Sequence, residues 1–375
     1  MKSLPIAGQG SSKSMGFAEA LESPCETCPT SPCCTHLPLH TFKVDTLVAL
    51  DHARYLLGFR RIQLGISAAG DWSVYYRHPC RYLDRDSFGC TVHDSLLQPQ
   101  ICVHYNPYSC WYKRSLSAPV SEGFVPIDHR RLDFILEHVR FDENRTITEV
   151  PDWPTLLEVM KDMPLDPVDT DEVDDDPVFD QWLEQAATGQ DPQQAADPQE
   201  PAERGDPCTG CAAHCCKTLV FPGQVPSTMA ALDFMRFALG FPGVEVAVSD
   251  QGWSFVVKTT CRHLTEDNRC GVYGAPERPL LCKYYDAQSC HYKAQFGVPR
   301  PAGLFRFRLE QWHWVVESFK FDDNGVIVEG PSTDRLRRHV EERWRAEVMA
   351  AAQASGADAD TAATSSEPEM TKEPP

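Results

Sequence analysis

The spacing of the cysteines constrains this sequence more than any other feature. The 375 residues include 16 cysteines, which form two sets of eight in the same order and with nearly the same gaps. The first set is Cys25, Cys28, Cys33, Cys34, Cys80, Cys90, Cys102 and Cys110. The second set, 180 to 183 positions later, is Cys208, Cys211, Cys215, Cys216, Cys261, Cys270, Cys282 and Cys290. This near-constant offset predicts a tandem duplication of one cysteine-rich module.

Residues other than cysteine follow the same offset. Leu57-Gly58-Phe59 matches Leu239-Gly240-Phe241, and the hairpin-like Phe141-Asp142 matches Phe321-Asp322. We therefore predict one cysteine-cluster domain over residues 25–150 and a second one, with a C-terminal helix, over residues 207–350. None of the 13 histidines has a histidine at its matched position. If both modules hold the same kind of site, it uses thiols alone, although one non-equivalent site with His214 or His78 stays open.

The charge of −19 is concentrated outside these two domains. Residues 151–206 hold 17 acidic residues against Lys161 and Arg204, and the tail over 351–375 is also acidic. Such segments bury too little apolar surface to offset their ordering entropy. We predict a disordered N-terminus over 1–24, an acidic disordered linker over 151–206 and a disordered tail over 351–375. Two amphipathic pieces of the linker, Thr155–Met163 and Val178–Ala187, could be helical and dock on a domain.

Local patterns predict small α+β domains with long irregular loops around the cysteines. Asp45 and Ser227 are predicted N-caps of helices that end at Gly58 and Gly240, where we expect a left-handed C-cap. Alternating residues then predict strands at Trp72–Tyr76 and Trp253–Val257. Asn324-Gly325 predicts a hairpin turn, and a last helix is expected from Ser332 to about Ala352.

Eight thiols per module favour metal binding. A Cys-x2-Cys turn places two sulfurs on one side of a tight loop, and zinc takes four such ligands. The four later cysteines of each module can converge only in a folded chain, so metal binding and folding would be one event. The spacing matches neither common ferredoxin pattern, which lowers the weight of an iron–sulfur cluster without removing it. Arg81 and Arg262 each follow a cysteine and could offset thiolate charge.

Three other interpretations of the cysteines were weighed against metal binding. Buried cysteines acting as small hydrophobes would not explain eight matched pairs. Disulfides would need an oxidising compartment, and thiol–disulfide exchange would be expected within a thioredoxin-like βαβ pattern, which the sequence lacks. Each interpretation carries much less weight than metal binding.

At these residues the sequence resembles the YkgJ-type cysteine-cluster family, a zinc- or iron-chelating domain. The second module carries its Cys-x2-Cys-x3-Cys-Cys opening at Cys208–Cys216. The family's later Tyr-x2-Arg-Pro-x2-Cys stretch is represented by Tyr273, with Arg278-Pro279-Leu-Leu-Cys282 after it. The resemblance adds Arg278 to the arginines that could offset thiolate charge. The first module departs from it with one extra residue before Cys33, His93 for the tyrosine and Gln98 for the arginine.

The sequence thus predicts a metal-binding protein with two eight-cysteine sites for zinc or iron, and an iron–sulfur cluster stays open as the form of the iron. Because the family includes a flagellin lysine methylase, the alternative is an iron-dependent enzyme of methylase or redox type. The first 24 residues lack the apolar stretch of a secretory signal, so we expect a cytoplasmic location. No apolar run is long enough to span a membrane, and no basic stripe favours nucleic-acid binding.

Overall fold

A computed structural model describes residues 31–104, 124–149, 152–165, 177–188, 208, 210–298, 301 and 303–363 of the chain. We call residues 31–149 the first half and residues 208–329 the second half. Residues 1–24, predicted to be disordered, and Cys25, Cys28 and Cys110, predicted to be ligands, lie outside the described residues.

The elements of the first half recur in nearly the same order in the second. The first half contains β1 (His36–Lys43), α1 (Leu47–Leu57), β2 (Ile62–Ser67), β3 (Asp71–Arg77), α2 (Gln100–Val103), β4 (Phe124–Ile127), α3 (His129–His138), β5 (Arg140–Phe141) and β6 (Ile147–Glu149). Between the halves lie α4 (Trp153–Lys161) and α5 (Pro177–Thr188). The second half contains β7 (Thr218–Pro222), α6 (Met229–Leu239), β8 (Val244–Ser249), β9 (Gly252–Lys258), α7 (Leu280–Lys283), α8 (His291–Phe296), β10 (Leu304–Phe307), α9 (Trp312–Glu317), β11 (Lys320–Phe321) and β12 (Ile327–Glu329), and α10 (Thr333–Ala363) follows.

Each half is built on a four-stranded antiparallel sheet. The strand orders are β1-β3-β2-β4 and β7-β9-β8-β10, which is the same order in both halves. Leu37 of β1 pairs with Tyr76 of β3, and the matching Leu219 of β7 pairs with Val257 of β9. The strands predicted at Trp72–Tyr76 and Trp253–Val257 are confirmed as β3 and β9, with mixed α+β structure around them.

The first long helix of each half corrects two expectations about helix ends. Thr46 and Thr228, not Asp45 and Ser227, are the N-caps, and their hydroxyls accept from the amides of Ala49 and Ala231. Asp45 and Ser227 lie one residue earlier, and their carbonyls accept from the hairpin amides of Ile147 and Ile327.

The glycines that end these helices are also not left-handed. Gly58 has φ −61° and Gly240 has φ −67°, both in the right-handed region. Lack of space is what favours glycine here. A Cβ on Gly58 would lie 2.9 Å from the carbonyl oxygen of Tyr55, and one on Gly240 would lie 3.0 Å from that of Phe237.

The predicted hairpin forms at β11 and β12, with Gly325 left-handed at φ 74°. A matching hairpin forms at β5 and β6, where Arg145 takes the same conformation at φ 63°. The carbonyl of Arg145 accepts a hydrogen bond from the amide of Leu47, the first residue of α1, at 2.9 Å. The carbonyl of Gly325 accepts one from the amide of Met229, the first residue of α6, at 2.8 Å. The hairpins therefore fix the start of these helices.

Parts of the predicted linker and tail are helical, which corrects their assignment as disordered. Leu157 of α4 and Phe179 and Trp182 of α5 are buried in the hydrophobic core. Asp180 of α5 accepts from Arg308 at 2.9 Å, which ties α5 to the second half. These helices fit the two amphipathic pieces that the sequence offered. The last helix runs on to Ala363, beyond the expected end near Ala352.

The two halves share one hydrophobic core instead of burying two separate ones. A single cluster of buried side chains includes Leu37 and Trp72 from the first half and Phe241 and Phe307 from the second. Each module alone would bury only part of this surface, which explains why the halves pack together. In the part of the chain that the structure describes, every helix is too short or too polar to cross a lipid bilayer.

Candidate metal centre

A short 3-10 turn carries the paired cysteines of each half. The turns are Pro32–Cys34 and His214–Cys216, and each follows a residue in the left-handed conformation. Ser31 has φ 37° and Ala213 has φ 58°, and their carbonyls accept from the amides of Cys34 and Cys216 at 2.9 and 2.8 Å. This tight turn presents both neighbouring thiols at the start of the first strand.

Backbone hydrogen bonds bring the next cysteine to each turn. The amide of Cys80 donates to the carbonyl of Cys34 at 2.7 Å, and the amide of Cys261 donates to that of Cys216 at the same distance. Cys80 and Cys261 come just after β3 and β9, the central strands paired with β1 and β7. The sheet therefore joins cysteines that are about 45 residues apart in sequence.

Two further cysteines come from the irregular loop after the sheet. Isolated bridges pair Leu83 with Cys90 and Leu264 with Cys270. Cys102 lies in α2 and Cys282 lies in α7, which are matching four-residue helices that begin after a proline. We call Cys33, Cys34, Cys80, Cys90 and Cys102 the first thiol cluster, and Cys215, Cys216, Cys261, Cys270 and Cys282 the second thiol cluster.

The remaining described cysteines all belong to the second half. The amide of Cys211 donates to the carbonyl of Cys208 at 3.2 Å, so the Cys-x2-Cys motif forms a tight turn. Cys290 precedes α8 and accepts a hydrogen bond from the hydroxyl of Tyr285 at 3.4 Å. The structure describes 13 of the 16 cysteines, and none of these 13 is in a disulfide.

Thiols of the first cluster affect one another electrostatically. The hydrogen bond with Cys33, whose Sγ lies 3.9 Å away, raises the pKa of Cys34 well above its usual value, and burial adds to the rise. Burial raises the pKa of Cys80 to about 11 and that of Cys102 to about 12. After burial, the charges of Cys33, Cys80 and Cys90 also contribute to the raised pKa of Cys102.

Two cations, Lys293 and Arg278, act on the thiols of the second cluster. The hydrogen bond with Cys216 lowers the pKa of Cys215 to about 7, and the charges of Lys293 and Arg278 act in the same direction. The same hydrogen bond raises the pKa of Cys216. Burial raises the pKa of Cys282 to about 12, although Arg278 opposes that rise. One thiolate of this cluster is thus favoured near neutral pH.

The three arginines expected from the sequence lie close enough to act on thiols. Arg81 acts to lower the pKa of Cys80, and Arg262 acts to lower that of Cys261, although burial outweighs both. Arg278 donates to the carbonyl of Cys282 at 2.7 Å and lies 4.3 Å from the ring centre of Tyr273. Arg81 also forms an ion pair with Glu310 at 2.7 Å, a contact between the halves.

Each thiol cluster is covered by residues from the opposite half, which sequence reasoning missed. A Cβ on Gly58 would lie 3.7 Å from Cys261 Sγ, and one on Gly240 would lie 3.4 Å from Cys80 Sγ. The carbonyl of Gly58 accepts from the amide of Arg262 at 2.8 Å, and that of Gly240 accepts from Arg81 at 2.9 Å. The halves therefore exchange equivalent contacts next to the cysteines.

Tyr55 shows the same crossing of contacts. Its hydroxyl lies beside Tyr292 of the second half, and burial raises its pKa, with further contributions from Tyr292, Cys282 and Cys215. The sequence repeats one polar pattern on this helix, but the pattern does not indicate which residues the helix contacts. Asp-x2-Arg occurs at Asp51 and Arg54 and again, at the matched positions, at Asp233 and Arg236.

The chemistry of the thiols fits a soft metal ion. Thiolates select zinc, copper(I) and iron–sulfur clusters over hard cations. The 3.9 Å between Cys33 Sγ and Cys34 Sγ is close to the edge of about 3.8 Å that a tetrahedron with Zn–S near 2.3 Å requires. Within the described ranges, however, no three His, Cys, Asp or Glu side chains stand close enough together to hold an ion.

Comparison with known proteins supports chelation by the second half. Residues 207–302 match the family model CxxCxxCC, whose description is "Putative zinc- or iron-chelating domain". This is one match, and it spans about a quarter of the chain. No curated protein and no solved structure matches the chain.

Proposed function

We propose that this chain is a cytoplasmic protein that binds zinc or iron through cysteine thiolates, with one site in each half. The observation that carries the proposal is that backbone hydrogen bonds bring a distant cysteine to the same paired-cysteine turn in both halves, Cys80 to Cys34 and Cys261 to Cys216. The match of residues 207–302 to a zinc- or iron-chelating family supports the second site.

The first site is proposed because its backbone repeats that of the second. Residues with positive φ occur at matched positions of the two cysteine loops, such as Phe88 with Asn268 and Asp94 with Gly274. The order of the strands and the hydrogen bonds that join the cysteines are also the same. A duplicated module explains these coincidences more simply than two unrelated folds would.

All eight cysteines of each set are the proposed ligands. Arg81, Arg262 and Arg278 are proposed to offset thiolate charge near the metal, since each already acts on a thiol in the structure. A bound ion would replace the repulsion between neighbouring thiolates with attraction, and its binding energy would then stabilise the fold. Reduced thiols persist in a cytoplasmic environment, which is the location we propose.

The first test is metal analysis of protein purified without air. We expect zinc or iron to copurify, with both halves contributing to the total. Colourless protein with about two zinc ions per half would exclude the alternative of an iron-dependent enzyme. Brown protein that contains acid-labile sulfide would support an iron–sulfur centre. Protein that binds neither metal, even after reconstitution, would refute the proposed function.

The second test assigns the ligands. Cys208→Ser with Cys211→Ser should remove the metal of the second half and lower its thermal transition. Cys25→Ser with Cys28→Ser is the matched variant of the first half and should remove the other half's share of the metal. If the Cys208 and Cys211 variant keeps its full metal content, these two residues are not ligands.

A further inference from the structure

Two carboxylates cross between the halves to the short helices that carry Cys102 and Cys282. Asp51 of α1 accepts a hydrogen bond from the amide of Leu280, the first residue of α7, at 2.6 Å. Asp233 of α6 accepts one from the amide of Ile101, the second residue of α2, at 2.9 Å. Asp51 and Asp233 occupy matched positions, so the two contacts are reciprocal.

These helices lack a cap of their own. Their N-cap residues are Pro99 and Pro279, and neither provides a side-chain hydrogen bond to the first turn. The first amides of a helix have no acceptor within it, and a helix of four residues has few bonds to hold it together. A carboxylate from the opposite half supplies the missing acceptor, and such charge-assisted bonds are stronger than neutral ones.

A second contact strengthens the crossing in one direction. Arg236 donates to the carbonyl of Gln98 at 2.7 Å and pairs with Asp233 at 3.2 Å. Asp233 and Arg236 therefore form hydrogen bonds with Ile101 and Gln98, on the two sides of Pro99. The matching Arg54 instead lies 3.6 Å from Asp133 of its own half. Two side chains, Asp233 and Arg236, therefore bind the segment around α2. At α7, the corresponding contact is made by the carboxylate of Asp51.

We infer that Asp51 and Asp233 are positioning residues, each of which holds the cysteine helix of the opposite half in place. Each thiol cluster is then complete only when the other half is folded against it. This inference rests on the proposed function for its metal consequence, but the positioning itself can be measured without metal.

The test measures the alkylation rate of each cysteine by mass spectrometry in full-length, chelator-treated protein. Asp51→Ala should raise the rate at Cys282 about tenfold and leave Cys102 unchanged, as expected for the loss of a charge-assisted hydrogen bond. Asp233→Ala should raise the rate at Cys102 and leave Cys282 unchanged. In metal-loaded protein the same variants should release metal faster from the half opposite the substitution.

Two further variants keep the test decisive. Asp51→Asn and Asp233→Asn retain an acceptor oxygen and should give the same crossed pattern with a smaller effect, which can be measured if an alanine variant does not fold. Asp133→Ala removes an exposed carboxylate from the helix next to α1 and should change neither cysteine.

The outcomes separate the inference from the proposed function. Faster alkylation in the same half as the substitution, or no change at either cysteine, would overturn the inference. A crossed pattern in a protein that binds no metal would uphold the positioning role while refuting the proposed function.

Discussion

The two thiol clusters share a backbone but differ in charge. In the second half Arg278 donates to the carbonyl of Cys282 and stacks on Tyr273. In the first half the matched residue is Gln98, whose side-chain oxygen accepts from the amide of Asp94 at 2.9 Å. Both residues tie the cysteine loop to itself, but only Arg278 brings a positive charge to the thiols.

This difference shows that shape and charge are set separately in these sites. The turns, bridges and short helices that gather the cysteines persist when the arginine is replaced by glutamine. The charge beside the thiols does not persist, because the pKa of Cys215 is lowered by the hydrogen bond with Cys216 and by the charges of Lys293 and Arg278, and Gln98 carries no charge that could replace that of Arg278. We therefore expect two sites of similar geometry whose thiols titrate differently.

Removal of one ligand should have the largest effect and should show whether the halves are equivalent. Cys90→Ser and Cys270→Ser should each reduce the bound metal by one site's share and lower the melting temperature by about 10 °C, because metal binding contributes directly to folding. Metal analysis and calorimetry would measure both effects. If one variant lost metal and the other kept it all, only one half would be a metal site.

Filling the space beside a sulfur should have the next largest effect. Gly240→Ala places a methyl group 3.4 Å from Cys80 Sγ, closer than the 3.7 Å that separates a Cβ on Gly58 from Cys261 Sγ. Overpacking should lower the free energy of unfolding by about 1–2 kcal/mol in either variant, because each methyl group would also lie close to a carbonyl oxygen of its own half, 3.0 Å from that of Phe237 or 2.9 Å from that of Tyr55. Urea denaturation would measure it, with Gly89→Ala on an exposed loop as the control. Equal values for all three variants would contradict the close approach of the halves.

Replacement of Arg278 by glutamine, the residue at the matched position 98, should alter the titration of the thiols. Arg278→Gln removes the positive charge that acts to lower the pKa values of Cys215 and Cys282. A thiol with a lowered pKa is deprotonated at lower pH, so the variant should shift the pH profile of Cys215 alkylation to higher pH. We expect Cys215 to be alkylated several-fold more slowly at pH 7 in the metal-free variant, because a rise of one pKa unit lowers the fraction of thiolate about tenfold. The reverse change, Gln98→Arg, is the matched variant, and an unchanged profile for Arg278→Gln would contradict a charge difference between the clusters.

The ion pair between Arg81 and Glu310 should have the smallest effect. Burial raises the pKa of Glu310, but the hydrogen bond and charge of Arg81 outweigh it, so the net pKa is lowered. The pair therefore stabilises the fold above the unfolded pKa of glutamate, and this contribution is lost as the pH falls through the lowered folded value. Because both side chains are more than a third exposed, Glu310→Gln should cost about 0.5 kcal/mol or less at pH 7. Denaturation of the unmodified protein and of Glu310→Gln should show a difference in the free energy of unfolding at pH 7 that disappears at pH 3.

Much of each half could be predicted from the sequence because local patterns determine it. Alternation over Trp253–Val257 identifies a strand, and Asn324-Gly325 identifies a hairpin turn. The N-caps were misplaced by one residue because aspartate, serine and threonine all cap well, and the hairpin pairing decides between them. Gly58 and Gly240 suggested a left-handed turn, whereas the nearby sulfur of the opposite half is a tertiary contact that no local pattern contains.

The crossing between the halves could not be predicted for a related reason. Hydrophobic periodicity shows that one face of α1 is buried, but it does not show what covers that face. Asp51 and Asp233 look like ordinary surface acids on a helix until the opposite half is placed beside them. Their repetition at matched positions was the one available sign, and it indicates duplication without indicating the partner.

The last strand of the second sheet has a practical consequence for dividing this protein. Segment 207–302, which the family model matches, stops just before β10 (Leu304–Phe307), and β10 pairs with β8 from Leu304 and Ser249 to Phe307 and Val246. A fragment cut at residue 302 would leave β8 as a bare edge, open to pairing with other chains and to aggregation. The stretch that sequence similarity recognises is therefore shorter than the sheet that carries its cysteines.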